Sequence, residues 1–255
     1  MILRVDEFIL QPNRAALDSH DVIRRLIPFG GGQIEVFRAP PRSGGAPRAF
    51  LLHFAGNEAR AESIVRSIGD LWPSDDVEAW CINYPGSGQT TGDARIAELA
   101  PAALAAFDDL HLHAAGRPIY LSGNCLGATV ALHVAANREV AGVALQNPAP
   151  LRELVRSRFR GPILWLLAYP VSMQIPADLS PAINAAKCHA PAVFIQSLHD
   201  RAVPIELQAA TLNAYAGETR LLQLDGDHTA TPDTAGEKLT DALNWLAGHD
   251  AIVAR

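Results

Sequence analysis

One short stretch of this chain could carry covalent chemistry: Ser122-Gly123-Asn124-Cys125-Leu126-Gly127-Ala128. It follows the apolar run Pro118-Ile119-Tyr120-Leu121 and leads into Thr129-Val130-Ala131-Leu132-His133-Val134. The pattern reads as strand, sharp turn and helix, and the turn has the form Gly-x-nucleophile-x-Gly, with cysteine where serine is more usual. A nucleophile at the apex of such a turn sits on strained backbone, and side chains two residues to either side would collide. Gly123 and Gly127 meet that need. A helix starting behind Cys125 would aim its free N–H groups and positive dipole end at the sulfur, which favours thiolate. The pentapeptide alone is a weak pattern, because a cysteine after a buried strand is more often a small apolar core residue. The chemistry therefore depends on a base and an acid further along.

The elements that must position these groups alternate along the chain. Residues 33–38 and 48–54 are β-like, joined by a turn-rich linker that reads as a hairpin loop. Ala49-Phe50-Leu51-Leu52-His53-Phe54 is a continuous apolar run, as suits a central parallel strand covered on both faces. A helical pattern over 58–68, a strand over 77–84 and an alanine-rich helix over 95–114 come next, with Pro101 near that helix's start. After the elbow and its helix, 140–146, 192–196 and 219–224 read as strands, 206–215 and 235–247 as helices. This order predicts an α/β fold with a doubly wound, mostly parallel sheet and helices on both faces. Ligands of such sheets bind beyond the carboxyl ends of the strands, where the loops after Phe54, Tyr84 and Leu121 all fall. Residues 2–10 read as an edge strand and 18–27 as a short helix or irregular segment. Residues 148–190 break the alternation and read as a small cap within a single domain spanning 1–255; its apolar residues Trp165, Leu166, Tyr169 and Met173 would face a substrate or pack on the sheet edge.

Composition narrows the function classes. With 255 residues, 49% hydrophobic and 19% charged, the chain can build a sizeable core without staples. A net charge of −6 with no basic block argues against a nucleic-acid partner. No run of 18 apolar residues is present, so no membrane span is expected. The opening Met1-Ile2-Leu3-Arg4-Val5-Asp6-Glu7 lacks a basic-then-apolar signal pattern, which predicts a cytoplasmic protein. The three cysteines, Cys81, Cys125 and Cys188, lie far apart, without zinc spacing or a disulfide framework.

Five loops together resemble the α/β-hydrolase fold, and within it the small hydrolases that include the protein depalmitoylases. His53-Phe54-Ala55-Gly56-Asn57 resembles their oxyanion loop and Asn83-Tyr84-Pro85-Gly86-Ser87-Gly88 the loop after the next strand. The elbow follows, then His199-Asp200-Arg201-Ala202-Val203-Pro204 resembles the acid loop and Gly226-Asp227-His228 the histidine loop. The match runs from about residue 33 to 250. Cysteine replaces the usual serine, Phe54 stands where a glycine normally follows the histidine, and Pro85 where arginine is common. The first departure points toward the dienelactone-hydrolase branch, whose working triad is Cys-His-Asp.

The resemblance implies Cys125 as nucleophile, Asp200 as acid and His228 as base, in the chain order this fold requires. His228 would take the thiol proton or hold it in a thiolate–imidazolium pair, and Asp200 would fix the imidazole tautomer. The oxyanion hole would be the N–H of Leu126 plus one from Ala55 or Phe54. Phe54, Tyr84, Trp165 and Tyr169 are the expected substrate-binding side chains. His199 precedes its acid and reads as structural or a pocket lining, His53 as a brace for its loop, Asp225 and Asp227 as loop-shaping residues, Cys81 and Cys188 as inert. An acyl-cysteine is a thioester that a second nucleophile opens readily, which suits esters, thioesters and lactones better than amides. The expected partner is a small-molecule acyl substrate, free or carrier-bound, and the chemistry requires no cofactor or metal. Two alternatives stand beside hydrolysis: acyl transfer from the same acyl-cysteine, as in secondary metabolism, and a non-catalytic binding protein that retains the fold.

Overall fold

The computed structural model describes residues 4–15, 17, 21–57, 59–159, 168–228 and 236–248. Its strands are β1 (Ile23–Phe29), β2 (Gly32–Ala39), β3 (Ala49–Phe54), β4 (Val77–Asn83), β5 (Ile119–Asn124), β6 (Gly142–Gln146), β7 (Ala192–Ser197) and β8 (Thr219–Leu224). They form one sheet in the order β1-β2-β4-β3-β5-β6-β7-β8. β2 runs antiparallel to β1 and β4, and all the pairings from β4 to β8 are parallel. The fold is α/β, mostly parallel, with helices on both faces.

Parallel strands need crossovers, and the crossovers here are helical. They include α2 (Ala61–Leu71), α3 (Ile96–Ala114) and α4 (Leu126–Ala135). α5 (Leu151–Arg158), α6 (Pro181–Ala185), α7 (Ile205–Ala214) and α8 (Glu237–Gly248) follow. Strand alternation divides the core. Phe50, Leu52 and Phe54 point into one cluster with Leu99, Ala103 and Phe107 of α3 and Val130 and Val134 of α4. Leu51 points the opposite way, into a cluster with Trp72, Ile195, Leu239, Leu243 and Leu246. Burying one such large side chain contributes about 1.5–3 kcal/mol. All seven residues of β4 are buried. Ile175 and Leu179, from the segment read as a cap, are also buried in the first cluster, and His133 of α4 hydrogen-bonds the Asp178 carbonyl at 2.9 Å.

Several local expectations are overturned. Residues 5–9 form a short helix, α1 (Val5–Ile9), rather than an edge strand. Residues 23–29 form the edge strand at this end of the sheet, missed because its only buried residue is Ile27 and no apolar alternation marks it. The hairpin is the one joining β1 to β2, through Gly30 and Gly31 at φ 54° and 78°. Two successive positive φ values are what a two-residue hairpin turn demands. Residues 40–48 are not a hairpin loop: they cross from β2 to β3, which sits between β4 and β5. Pro101 lies in the second turn of α3, since the helix begins at Ile96.

Candidate active site

Cys125 occupies the turn between β5 and α4 at φ 53° and ψ −116°. A non-glycine residue held there stores about 1–3 kcal/mol of backbone strain. The surroundings impose it. The Cys125 N–H donates to the Gln146 carbonyl at 2.9 Å, and its own carbonyl accepts from Thr129 and Ala149 at 3.3 Å. The flanking glycines are steric requirements. A Cβ on Gly123 would stand 2.4 Å from the Gly127 carbonyl oxygen, and one on Gly127 would stand 1.9 Å from that of Phe54. The second contact brings the start of α4 directly against the loop after β3.

The acid and the histidine are joined by the β7–β8 pairing. Its last rung is Ser197↔Leu224, and two further bonds extend it: Leu198 N–H to Leu224 O and His199 N–H to Gly226 O, both 2.9 Å. The two loops thus leave the sheet side by side. The Nδ1–H of His228 donates to Oδ2 of Asp200 at 2.7 Å. The other oxygen, Oδ1, accepts the N–H groups of Ala202 and Val203, each at 2.8 Å. The Asp200 side chain is fully buried and that of His228 is 28% exposed. Its hydrogen bond to Asp200, and then its hydrogen bond to Cys125, raise His228 from its ordinary 6.5 to about 10, against the effect of burial. The imidazole therefore stays protonated at neutral pH and lies between a carboxylate and a sulfur. Cys125, Asp200 and His228 are together. His199 is not part of this group: it is largely exposed and paired with the still more exposed Asp225 at 3.1 Å.

The loop after β3 is braced from below. His53 Nδ1 lies 2.8 Å from Ser122 Oγ, and burial pushes His53 down to about 4, so it is neutral. Asn124 Oδ1 accepts the Gly56 N–H at 2.9 Å. Burial pushes the thiol of Cys81, beneath this loop, far above its usual range. Phe54 is wholly buried, so its expected role as a pocket wall is corrected: the ring belongs to the core on the α3 and α4 side. Tyr169 is 46% exposed with the Arg156 guanidinium 4.9 Å over its ring. Trp165 and Leu166 lie outside the described residues.

Sequence reasoning missed the segment that closes the site on one side. Residues 9–14 cross the loops after β3 and β4 as a strap. Gln11 N–H donates to Asn57 Oδ1 at 3.0 Å, Gly88 N–H to the Asn13 carbonyl at 2.9 Å, and Arg14 to the carbonyl of Gly92 at 2.8 Å. Buried Arg60 donates to the carbonyls of Asn13 and Ala15 at 2.7 and 2.9 Å and pairs with Glu62. Asn83 then links Glu62 to Glu35, at 2.9 and 2.8 Å. Burial raises Glu35, but the Gln89 N–H, Asn83 and Arg24 outweigh it and hold the carboxyl below its usual value. No periodicity marks the strap.

Two cavities flank the elbow. One, about 460 Å³ and partly open to solvent, lies between the sheet and helices α2 and α8, with His53, Ser122, Asn124 and Gln146 at its polar end. The other, about 260 Å³, lies between the strap and the loop after β4, lined by Leu10, Pro12, Tyr84, Leu99 and Leu126 among others. Tyr169 lines neither. Among the described residues no group of three His, Cys, Asp or Glu side chains could hold a metal, and no helix is long and apolar enough to cross a membrane.

No protein-family model and no curated protein sequence matches the chain. Solved structures do. Est1E from Butyrivibrio proteoclasticus aligns with a TM-score of 0.70 at 14% identity, covering 88% of this chain and 99% of its own. An acetyl xylan esterase from Paenibacillus sp. R4 gives 0.63 at 15% identity, over 93% and 98%. An alpha-beta serine hydrolase homologue from Coxiella burnetii gives 0.58 at 16%, over 90% and 98%. At these identities the likeness is one of architecture, and it establishes that this chain has the α/β-hydrolase fold.

Proposed function

We propose that the protein hydrolyses a carboxylic ester, thioester or lactone through an acyl-cysteine on Cys125. One observation carries this reading: His228 bridges the buried carboxylate of Asp200 and the sulfur of Cys125, at an elbow whose backbone is strained to present that sulfur. The name of one structural neighbour, an acetyl xylan esterase, supports the bond type, and the cysteine is this chain's own feature.

The chemistry follows from the positions. The Cys125 thiolate attacks the acyl carbon, a C–S bond forms, and the carbonyl electron pair moves onto oxygen. The Leu126 N–H, first in its helix and so without an intrahelical acceptor, stabilises that oxygen. The carbonyl reforms, the C–O or C–S bond to the leaving group breaks, and imidazolium His228 gives its proton to the departing atom. Water then attacks the thioester, His228 takes its proton, and the C–S bond breaks to return the thiolate. Asp200 keeps the imidazole oriented and stabilises its charged form. A cysteine thiolate is a good leaving group, so activated acyl donors suit this site better than amides.

The test is an intact-mass and burst-kinetics experiment with p-nitrophenyl esters, acyl thioesters and lactones of varied chain length. The expected result is a burst and an acyl adduct on the wild type, absent from Cys125→Ala. No adduct and no burst with any of them would refute the reading. Faster turnover on adding amines or alcohols would redirect it to acyl transfer.

A further inference from the structure

The Tyr84 hydroxyl is buried and, among the described residues, has no hydrogen-bond partner. A buried hydroxyl without a partner costs about 1–3 kcal/mol, so its position calls for an explanation. Tyr84 follows β4 directly, at the carboxyl edge of the sheet, and faces the cavity that Leu126 also lines. Two other polar side chains on that cavity are committed to the strap: Asn57 to Ile9 and Gln11, Ser87 to Asn13. Burial, and then the neighbouring sulfurs of Cys81 and Cys125, push the phenol well above its ordinary value, so it remains a donor.

In the loop after β3, meanwhile, the Gly56 N–H is already bound to Asn124. The Leu126 N–H, which an oxyanion on Cys125 would meet, therefore cannot take Gly56 as its companion.

We propose that the Tyr84 hydroxyl is the second donor to the oxyanion formed on Cys125, beside the Leu126 N–H, and thus a catalytic residue of this site. It donates a hydrogen bond and transfers no proton. The inference rests on the acyl-cysteine reading above. It also explains the missing partner: the acceptor exists only once the acyl carbon becomes tetrahedral, so the donor is preorganised and waits for it.

The experiment compares wild type with Tyr84→Phe, which removes only the oxygen. Wild type is acylated first with a p-nitrophenyl ester; no adduct on Cys125 there would refute the acyl-cysteine reading itself and the inference with it. Given acylation, the Phe variant should be acylated about 100-fold more slowly, the usual cost of losing one oxyanion donor, with KM little changed. Inhibition by a trifluoromethyl ketone, which forms a tetrahedral oxyanion on the sulfur, should weaken by a similar factor. Alkylation of Cys125 by iodoacetamide, which forms no oxyanion, should keep its rate, and the melting temperature should stay or rise, because an unpartnered buried hydroxyl has been removed. Equal acylation rates in the two proteins would overturn the proposal. So would a parallel loss of alkylation, which would assign Tyr84 to maintenance of the thiolate. Should the Phe variant fail to fold, Tyr84→Gln, which keeps a donor, is measured against Tyr84→Leu, and equal acylation rates in that pair would overturn it too.

Discussion

The carboxamide of Asn124, at the end of β5, accepts the N–H of Gly56 from the loop after the neighbouring β3 at 2.9 Å. It thereby ties the elbow that carries Cys125 to the loop after β3. Asn124→Leu keeps the bulk and removes the acceptor, leaving a part-buried N–H unpaired. The expected cost is about 1–3 kcal/mol in urea unfolding. Acylation of Cys125 should slow by about 10- to 100-fold, because small displacements of a positioning loop are amplified in rate. A stability loss with unchanged acylation would limit Asn124 to a structural role.

His228 sets a pH dependence. Its ordinary value of 6.5 is raised to about 10 by Asp200 first and Cys125 second. The folded state therefore holds this proton more tightly than the unfolded chain. The resulting stabilisation is fully present below about pH 6.5 and is lost as pH rises through about 10. The urea-midpoint difference between wild type and His228→Gln should accordingly shrink between pH 6 and pH 10. Imidazole NMR should show the His228 midpoint falling most in Asp200→Asn and less in Cys125→Ala. A midpoint near 6.5 in the wild type would contradict the arrangement.

Phe54 is a core residue with no exposed surface. Phe54→Ala should cost about 3–5 kcal/mol of unfolding free energy through the cavity it leaves. Phe54→Leu should leave acyl-chain selectivity across a series of esters as it is in the wild type. Altered selectivity without a loss of stability would return Phe54 to the pocket wall.

Arg60 and Glu62 are an ion pair with 5% and 3% of their side chains exposed. Arg60→Leu leaves a buried carboxylate without its cation, at an expected cost of about 3–5 kcal/mol, and Arg60→Leu with Glu62→Leu should recover much of it. The Arg60 bonds to Asn13 and Ala15 are lost in both variants. Limited proteolysis should therefore cut the strap faster in each, even where stability is restored. Equal cutting of wild type and both variants would mean that the strap is held without Arg60.

Much of the architecture is legible because its signals are local. Continuous apolar runs such as Ala49–Phe54 announce strands buried on both faces, and α3 displays its buried side at Ile96, Leu99, Phe107 and Leu110, spaced by helical turns. Cys125 is recognisable because a strained turn needs glycine on either side, and Asp200 and His228 because each follows a strand within a distinctive loop. β1 escapes because an exposed edge strand needs no apolar alternation, and the strap because its bonds are made by backbone groups that every sequence possesses.

The residue types capable of acyl chemistry, and the strand ends that carry them, were therefore determined by the sequence itself. The tertiary structure alone decided that the β7–β8 register sets the acid and histidine loops side by side, and that Phe54 faces the core. It also decided that the Gly56 N–H after β3 is already bound and that, among the described residues, the Tyr84 hydroxyl is left without a partner. Those outcomes depend on distances between groups remote in the chain, which packing settles and no local pattern encodes.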